Sequence, residues 1–384
     1  MGFTIQDYNL RKTFTIEKKL LLFAGFYPRR TSKNKYAYVL GATVNLFLSI
    51  AQFLSMLMQL IVNRNDLSKL SETLQYFITH TTFICKLTNF VVYKKNLLNI
   101  EDTLEMPIFY GFSHNHLKLL KQKVAACENV GTVFRVLCVA AVAFWALPPY
   151  LDPAKSKSLP IPGWFPYNVT DYYYPTFAFQ MIGIANTAYT NSTIDILTWM
   201  LISVASGQFE ILKENLKDID YGSPDWTKTN ESFKNCVKHH REIVRFVYKI
   251  ENTFSKGIFL QFFASVIVIC FTGFLMIIVP VVSMQFALLL TYFLCMMCQV
   301  AMYCWYGHDV MTTSNTIGQS FHMSNWYDSD LTIRRDVIIF LERTIKPVTL
   351  TAGGYVTLSL TTLTGILRSS YSYFAVLRRL YSDL

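Results

Sequence analysis

Residues 347–384 read PVTLTAGGYVTLSLTTLTGILRSSYSYFAVLRRLYSDL. The stretch is apolar and long enough to cross a bilayer, which takes about 20 residues of helix. It nevertheless carries hydroxyl and aromatic groups at helical spacing. At roughly 100° per residue, Thr351, Tyr355, Thr362, Gly365, Ser369 and Tyr373 fall in one arc, which Val376 and Leu380 continue. Lipid gives no reason for a polar stripe; water or a neighbouring helix does. Two readings stay open on this pattern. One is helix packing through small and hydroxylated residues. The other is a water-facing wall that turns apolar at Val376 and Leu380, where a channel could close by dewetting.

The rest of the chain places that stretch in a membrane. Of 384 residues, 52% are hydrophobic and 16% charged, with a mean hydropathy of +0.29. Soluble domains carry about 25% charge. Apolar runs of spanning length predict an all-α membrane protein with helices over Tyr36–Val62, Leu67–Tyr93, Gly131–Tyr150, Pro175–Gln208, Gly257–Val279, Ser283–Gly307 and Pro347–Leu380. The second is weakened by Thr, His and Lys86, so six spans compete with seven. The first 35 residues are polar and basic, without a short basic-then-apolar leader, so insertion is expected to begin with the first span.

Charge orients the bundle. With the N-terminus in the cytoplasm, 26 of the 35 Lys and Arg residues flank the cytoplasmic ends and 7 the outer ends. Positive charge favours the inside, so the N-terminus is expected inside and the C-terminus outside. The sequon at Asn168 falls in an expected outer loop and marks a candidate glycosylation site. This topology is the reverse of a G-protein-coupled receptor. The net charge of +10 is spread along the inner flanks, which suits anionic lipid and not nucleic acid.

Two inner segments, 209–256 and 308–346, predict helical extensions. Phe233, Val237, His240, Val244, Val247, Ile250 and Phe254 recur in steps of four and three, with Lys, Arg and Glu opposite. Val310, Ile317 and Phe321 form a second face, and Ile333, Val337 and Phe340 a third, after a turn capped by Ser329 or Asp330. Catalysis finds no constellation. His114, His116, His239 and His240 lack ligand-spaced partners, and Cys295 and Cys298 lie mid-span. No enzyme, metal or cofactor is expected. Lys86, Arg135 and Asp195 lie toward the inner ends of their spans, where snorkelling would suffice.

A ligand pocket is better supported. Tyr76, Phe77, His80, Phe83, Phe144, Trp145, Phe177, Gln180, Met181, Ile184, Phe286 and Tyr292 share an outer depth in the second, third, fourth and sixth spans. Aromatic walls with a few polar groups suit a small apolar molecule. Ordinary helix packing is the competing reading.

Arg368-Ser-Ser-Tyr-Ser-Tyr-Phe-Ala-Val-Leu377 resembles the C-terminal signature of insect odorant receptors. Cys304-Trp-Tyr-Gly307, Asn325-Trp-Tyr-Asp328, Arg343-Thr with Pro347, and Ala352-Gly353 follow that family's order. Phe165-Pro-Tyr, Tyr174-Pro and Gln180 resemble its outer loop and fourth-helix entry. The resemblance implies an odorant-gated, non-selective cation channel, built as a tetramer with a shared odorant co-receptor. It also implies a multi-pass protein of the plasma membrane in a sensory neuron dendrite. The chain resembles an odour-tuning subunit, since it lacks the co-receptor's long insertion between the fourth and fifth spans. By the same resemblance, residues 36–208 hold a volatile organic ligand, 209–256 and 308–346 form an anchor, and 347–380 line the pore through Thr362, Ser369, Tyr373, Val376 and Leu380. Tyr292, His80 and Gln180 are then candidates to hydrogen-bond an alcohol, ester or carbonyl. A gustatory channel, a metabotropic receptor and a transporter are the alternatives.

Overall fold

The computed structural model describes residues 14–28, 35–110, 114–147, 157–223, 225–322 and 324–382. A short α1 (Thr15–Phe23) precedes α2 (Lys35–Val62), α3 (Leu67–Val92), α4 (Lys94–Leu104), α5 (His114–Ala146), α6 (Tyr173–Lys217), α7 (Trp226–Ile278) and α8 (Met284–Asn315). The chain continues through α9 (Ile317–His322), α10 (Leu331–Thr344), a hairpin of β1 (Thr351–Ala352) and β2 (Val356–Thr357), and α11 (Leu360–Ser382). Seven long helices, α2, α3, α5, α6, α7, α8 and α11, fall on the seven expected spans. Among the described residues, α2, α5, α6, α7 and α8 are long and apolar enough to cross a membrane.

Local chemistry sets the helix starts. Asp66, Asp225, Ser283 and Asp330 each accept a bond from a free backbone N–H of the first turn, at 3.1–3.2 Å. At the exposed start of α10, bonds from Thr332 hold the Asp330 carboxyl below the usual carboxylate range. Two helices overrun their spans. At about 1.5 Å per residue, the 45 residues of α6 and 53 of α7 reach roughly 68 and 80 Å, more than twice the hydrocarbon thickness of about 30 Å.

Their far ends build an extramembrane block with α9 and α10. Phe233, His240, Val247, Ile250 and Phe254 are buried there, as their spacing predicts. Phe233, Phe321 and Phe340 pack with ring centroids 5.8–6.2 Å apart. Burial of three such rings, each worth about 1.5–3 kcal/mol, ties α7, α9 and α10 together.

The expected continuous helix from Pro347 needs correction. Residues 351–357 form the antiparallel hairpin, with Thr351 opposite Thr357 and Ala352 opposite Val356. Gly353 and Gly354 turn it at φ +64° and +80°, a region that side chains disfavour. Ser255 and Glu251 of α7 bind the hairpin: Gly353 N–H donates to the Ser255 carbonyl at 3.1 Å, and Thr351 N–H to Glu251 at 3.0 Å. Only from Leu360 does a helix run, so Thr351 and Tyr355 do not belong to the stripe on α11.

Candidate functional site

Between α2, α3, α5, α6 and α8 lies a cavity of about 110 Å³. Its aromatic end is a triangle in which the rings of Tyr76, Trp145 and Tyr292 stand 5.7–5.8 Å apart, edge to face or tilted. Phe83, Phe134, Met56 and Ile184 extend the apolar wall. An apolar cavity of about 150 Å³ accepts benzene, so this smaller space suits a molecule no larger than a small ring.

A loop closes one side. Gln180 grips Ile161, accepting from its N–H at 3.3 Å and donating to its carbonyl at 3.0 Å. Ser55 grips Trp164 in the same two-point manner, at 3.0 and 3.1 Å. Ile161 is thereby held against the cavity.

The inner end is polar. Lys86 of α3 is buried and donates to Asp195 of α6 at 2.8 Å and to Asn191 Oδ1 at 3.3 Å. Asp195 also accepts from Tyr303 at 2.6 Å and from Gln299. Gln299 in turn accepts from Gln261 of α7 at 2.7 Å. The expected snorkelling of Lys86 and Asp195 is therefore corrected: the two charges are buried and satisfy each other. In lipid, an unpaired charge would be costly, and pairing removes the need to reach water. Arg135 instead binds Glu17 of α1 at 3.0 Å.

Six of the twelve residues expected at a ligand line this cavity: Tyr76, His80, Phe83, Trp145, Ile184 and Tyr292. Gln180 stands behind it, holding Ile161. Phe77 stacks on Phe53 at 5.1 Å, and Phe177 leans on Tyr173 at 5.6 Å. Phe144 and Met181 pack partly buried against the core, and Phe286 opens α8. The polar atoms expected to meet a ligand have partners within the chain. His80 Nε2 bonds the Ser49 carbonyl at 2.8 Å, and the Tyr292 hydroxyl bonds Thr79 at 2.5 Å.

Helix α11 packs one side on α7, where Ile366 and Ser370 are buried and Phe374 faces Gly273. Its opposite side has no neighbour among the described residues. Gly365, Ser369, Tyr373 and Val376 are exposed, Tyr373 by 59% and Val376 by 55%. Thr362, half-buried, donates to the Thr357 carbonyl at 2.6 Å and joins the helix to the hairpin. The side chain of Leu380 lies outside the described residues. Asn168 is exposed and accepts from Thr170 Oγ1 at 2.8 Å. Helix α8 joins the two regions. It lines the cavity with Tyr292 and Gln299, and its Gly307 meets Leu358 so closely that a Cβ there would lie 2.2 Å from the Leu358 Cβ.

A family model described as 7tm Odorant receptor matches residues 66–371, most of the chain. The chain belongs to the odorant receptor family. Odorant receptor Or1 of Anopheles gambiae is 28% identical over 281 residues, covering 64% of this chain and 66% of its own length. Odorant receptor 85b of Drosophila melanogaster is 27% identical over 256 residues, covering 65% and 64%. This receptor thus matches slightly less than two thirds of the length of those relatives. Among solved structures, the insect olfactory receptor OR5 from Machilis hrabei in complex with eugenol superposes with a TM-score of 0.86 at 14% identity, over 97% of this chain and 98% of that one. A second OR5 structure gives 0.86 at 15% identity, over 96% and 98%. That likeness is one of fold: this odorant receptor is a helical membrane protein of the same architecture.

Cavity residues outside the sequence list include Gln52, Thr79, Phe134, Thr187, Asn191 and Gln299. One signal could have found part of this set. Thr187 and Asn191 are four apart, on the face of the receptor's α6 that Ile184 begins.

Proposed function

We propose that this receptor is the odour-tuning subunit of an odorant-gated, non-selective cation channel, assembled as a tetramer with odorant co-receptor subunits around one pore. The observation that carries it is the double role of α8, which walls the cavity and docks the hairpin leading into α11. A volatile organic molecule enters the cavity and gains about 0.8 kcal/mol for each methylene removed from water. Binding favours the conformer in which α8 lets α11 move outward. Ser369, Tyr373 and Val376, on the exposed side of α11, then widen and rehydrate a pore that Leu380 continues. Thr362 sits where that wall meets the hairpin.

In this reading residues 36–208 supply most of the ligand helices, 209–256 and 308–346 the anchor between subunits, and 347–380 the pore segment. The N-terminus is cytoplasmic, Asn168 is outside and open to glycosylation, and the protein resides in the plasma membrane of a sensory dendrite. The reading is tested by whole-cell current under a panel of volatiles, with the chain expressed alone and with a co-receptor. A fast cation current that needs this chain and persists without GTP is expected. Loss of the current when GTP signalling is blocked points to a metabotropic receptor instead.

A further inference from the structure

The polar groups around the cavity are unevenly spent. Asp195, the carboxylate at its inner end, uses Oδ1 on Lys86 and Tyr303 and Oδ2 on Gln299. Its charge is cancelled by Lys86, so the cavity offers no counter-ion to an incoming cation. The carbonyl of the Gln299 side chain is occupied by Gln261. Charged acceptors free to meet a ligand are therefore absent among the described lining residues.

Donors are not. Trp145, 93% buried by its 7% exposure, lines the cavity with an indole N–H that has no hydrogen-bond partner. The Tyr76 hydroxyl stands beside it. Thr187 also lines the cavity, and its hydroxyl is likewise buried and unbonded. Asn191, one turn further along α6, has its carbonyl held by Lys86, which leaves its NH₂ as the group available to a ligand. Indole and amide N–H groups can only donate, and a buried donor left without an acceptor is unfavourable.

We infer that the cavity is tuned to a small molecule with a ring-sized apolar body and one uncharged hydrogen-bond acceptor, of the aldehyde, ketone, ester or ether class. The inference rests on the proposed ligand role of this cavity and adds the polarity of its ligand. An acceptor oxygen satisfies donors that a hydrocarbon of the same shape leaves orphaned. An ammonium ion of that shape finds no unpaired carboxylate to balance its charge.

Toluene, benzaldehyde and benzylamine share one body and differ in this single respect. Thermal stabilisation of the purified full-length receptor by each probe measures binding apart from gating. Benzaldehyde should bind about tenfold tighter than toluene, the ratio expected from one neutral hydrogen bond, and benzylamine should bind most weakly. Thr187→Val and Trp145→Phe should each pull the benzaldehyde-to-toluene ratio toward one. Equal binding of toluene and benzaldehyde, a preference for benzylamine, or no stabilisation by benzaldehyde overturns the inference. Ala188→Phe, which fills the cavity, separates this from the parent reading. If benzaldehyde binds unchanged to that variant, the cavity is not the site and both ideas fall. If Ala188→Phe abolishes binding but the wild-type ratio is one, only the acceptor preference falls. Tight benzaldehyde binding without any current supports the preference and counts against the channel.

Discussion

The two halves of α6 follow opposite rules. From Ser192 to Phe209 every residue is buried, whereas among the outer residues 173–191 only Tyr173, Thr176, Gln180, Gly183, Ile184 and Thr190 are. The inner half is enclosed all round, and several of its polar groups are paired, Gln208 with His239 at 2.9 Å and Ser206 with Asp309 at 2.6 Å, with the Trp199 indole N–H the exception. The outer half borders a void and leaves donors unbonded. One helix thus joins a fixed support to an adaptable wall. The difference teaches where a ligand can act, since displacement costs least where packing is incomplete.

The most severe way to break this contrast is at its border. Lys86→Met leaves Asp195 charged and unpaired, with an expected loss of about 3–5 kcal/mol. The thermal midpoint of the purified protein should fall steeply, and the double variant Lys86→Met/Asp195→Leu should regain part of it. If the double variant melts no higher than the single one, the pair does not hold the border together.

Acid should attack the support next. Burial pushes His239 down to about 3 and His240 down to about 4, helped by each one's charged neighbours, His240 and Arg343 respectively. In the unfolded chain both protonate near pH 6.5. The unfolded state therefore binds more protons, and stability present at neutral pH is lost as pH falls from about 6.5 toward 4. Each histidine contributes up to about 1.4 kcal/mol per pH unit. Melting at about pH 7.5 and 5 should show this slope, and His239→Gln should reduce it. A pH-independent midpoint would count against burial of the pair.

Gly307→Ala tests the link between the regions. Its methyl group would meet the Leu358 Cβ at 2.2 Å and the Leu358 carbonyl oxygen at 2.8 Å, an overpacking worth about 1–3 kcal/mol. Benzaldehyde binding should survive while evoked current drops. Unchanged current would show that the hairpin does not carry the signal. The smallest effect on stability is expected at Val376→Ala, within about 0.5 kcal/mol for so exposed a site. It should change conduction or ion selectivity and keep the order of ligand potencies, whereas Trp145→Ala should do the reverse.

The helices were legible because apolar periodicity survives in each of them, as at Phe233, Val247 and Phe254. The cap at Asp330 also announced the start of α10. The hairpin was not legible. Thr351 and Tyr355 keep the spacing of the stripe, and only the backbone of Gly353 and Gly354 reveals the turn. Within the candidate site, shared depth picked out Tyr76, Trp145 and Tyr292. Depth does not fix the rotation of a helix, so Phe77 and Phe177, chosen on the same ground, face other rings. Lys86 and Asp195 are 109 positions apart, and nothing local in either neighbourhood announces the other.

The loop stitched down by Gln180 and Ser55 has a temporal consequence. Four hydrogen bonds must open before Ile161 and Trp164 lift away from the helices. A molecule leaving by that route waits for the stitch to breathe, whatever its own affinity. If the proposed ligand leaves by that route, its dwell time is limited by the loop and should vary less among ligands than their affinities do.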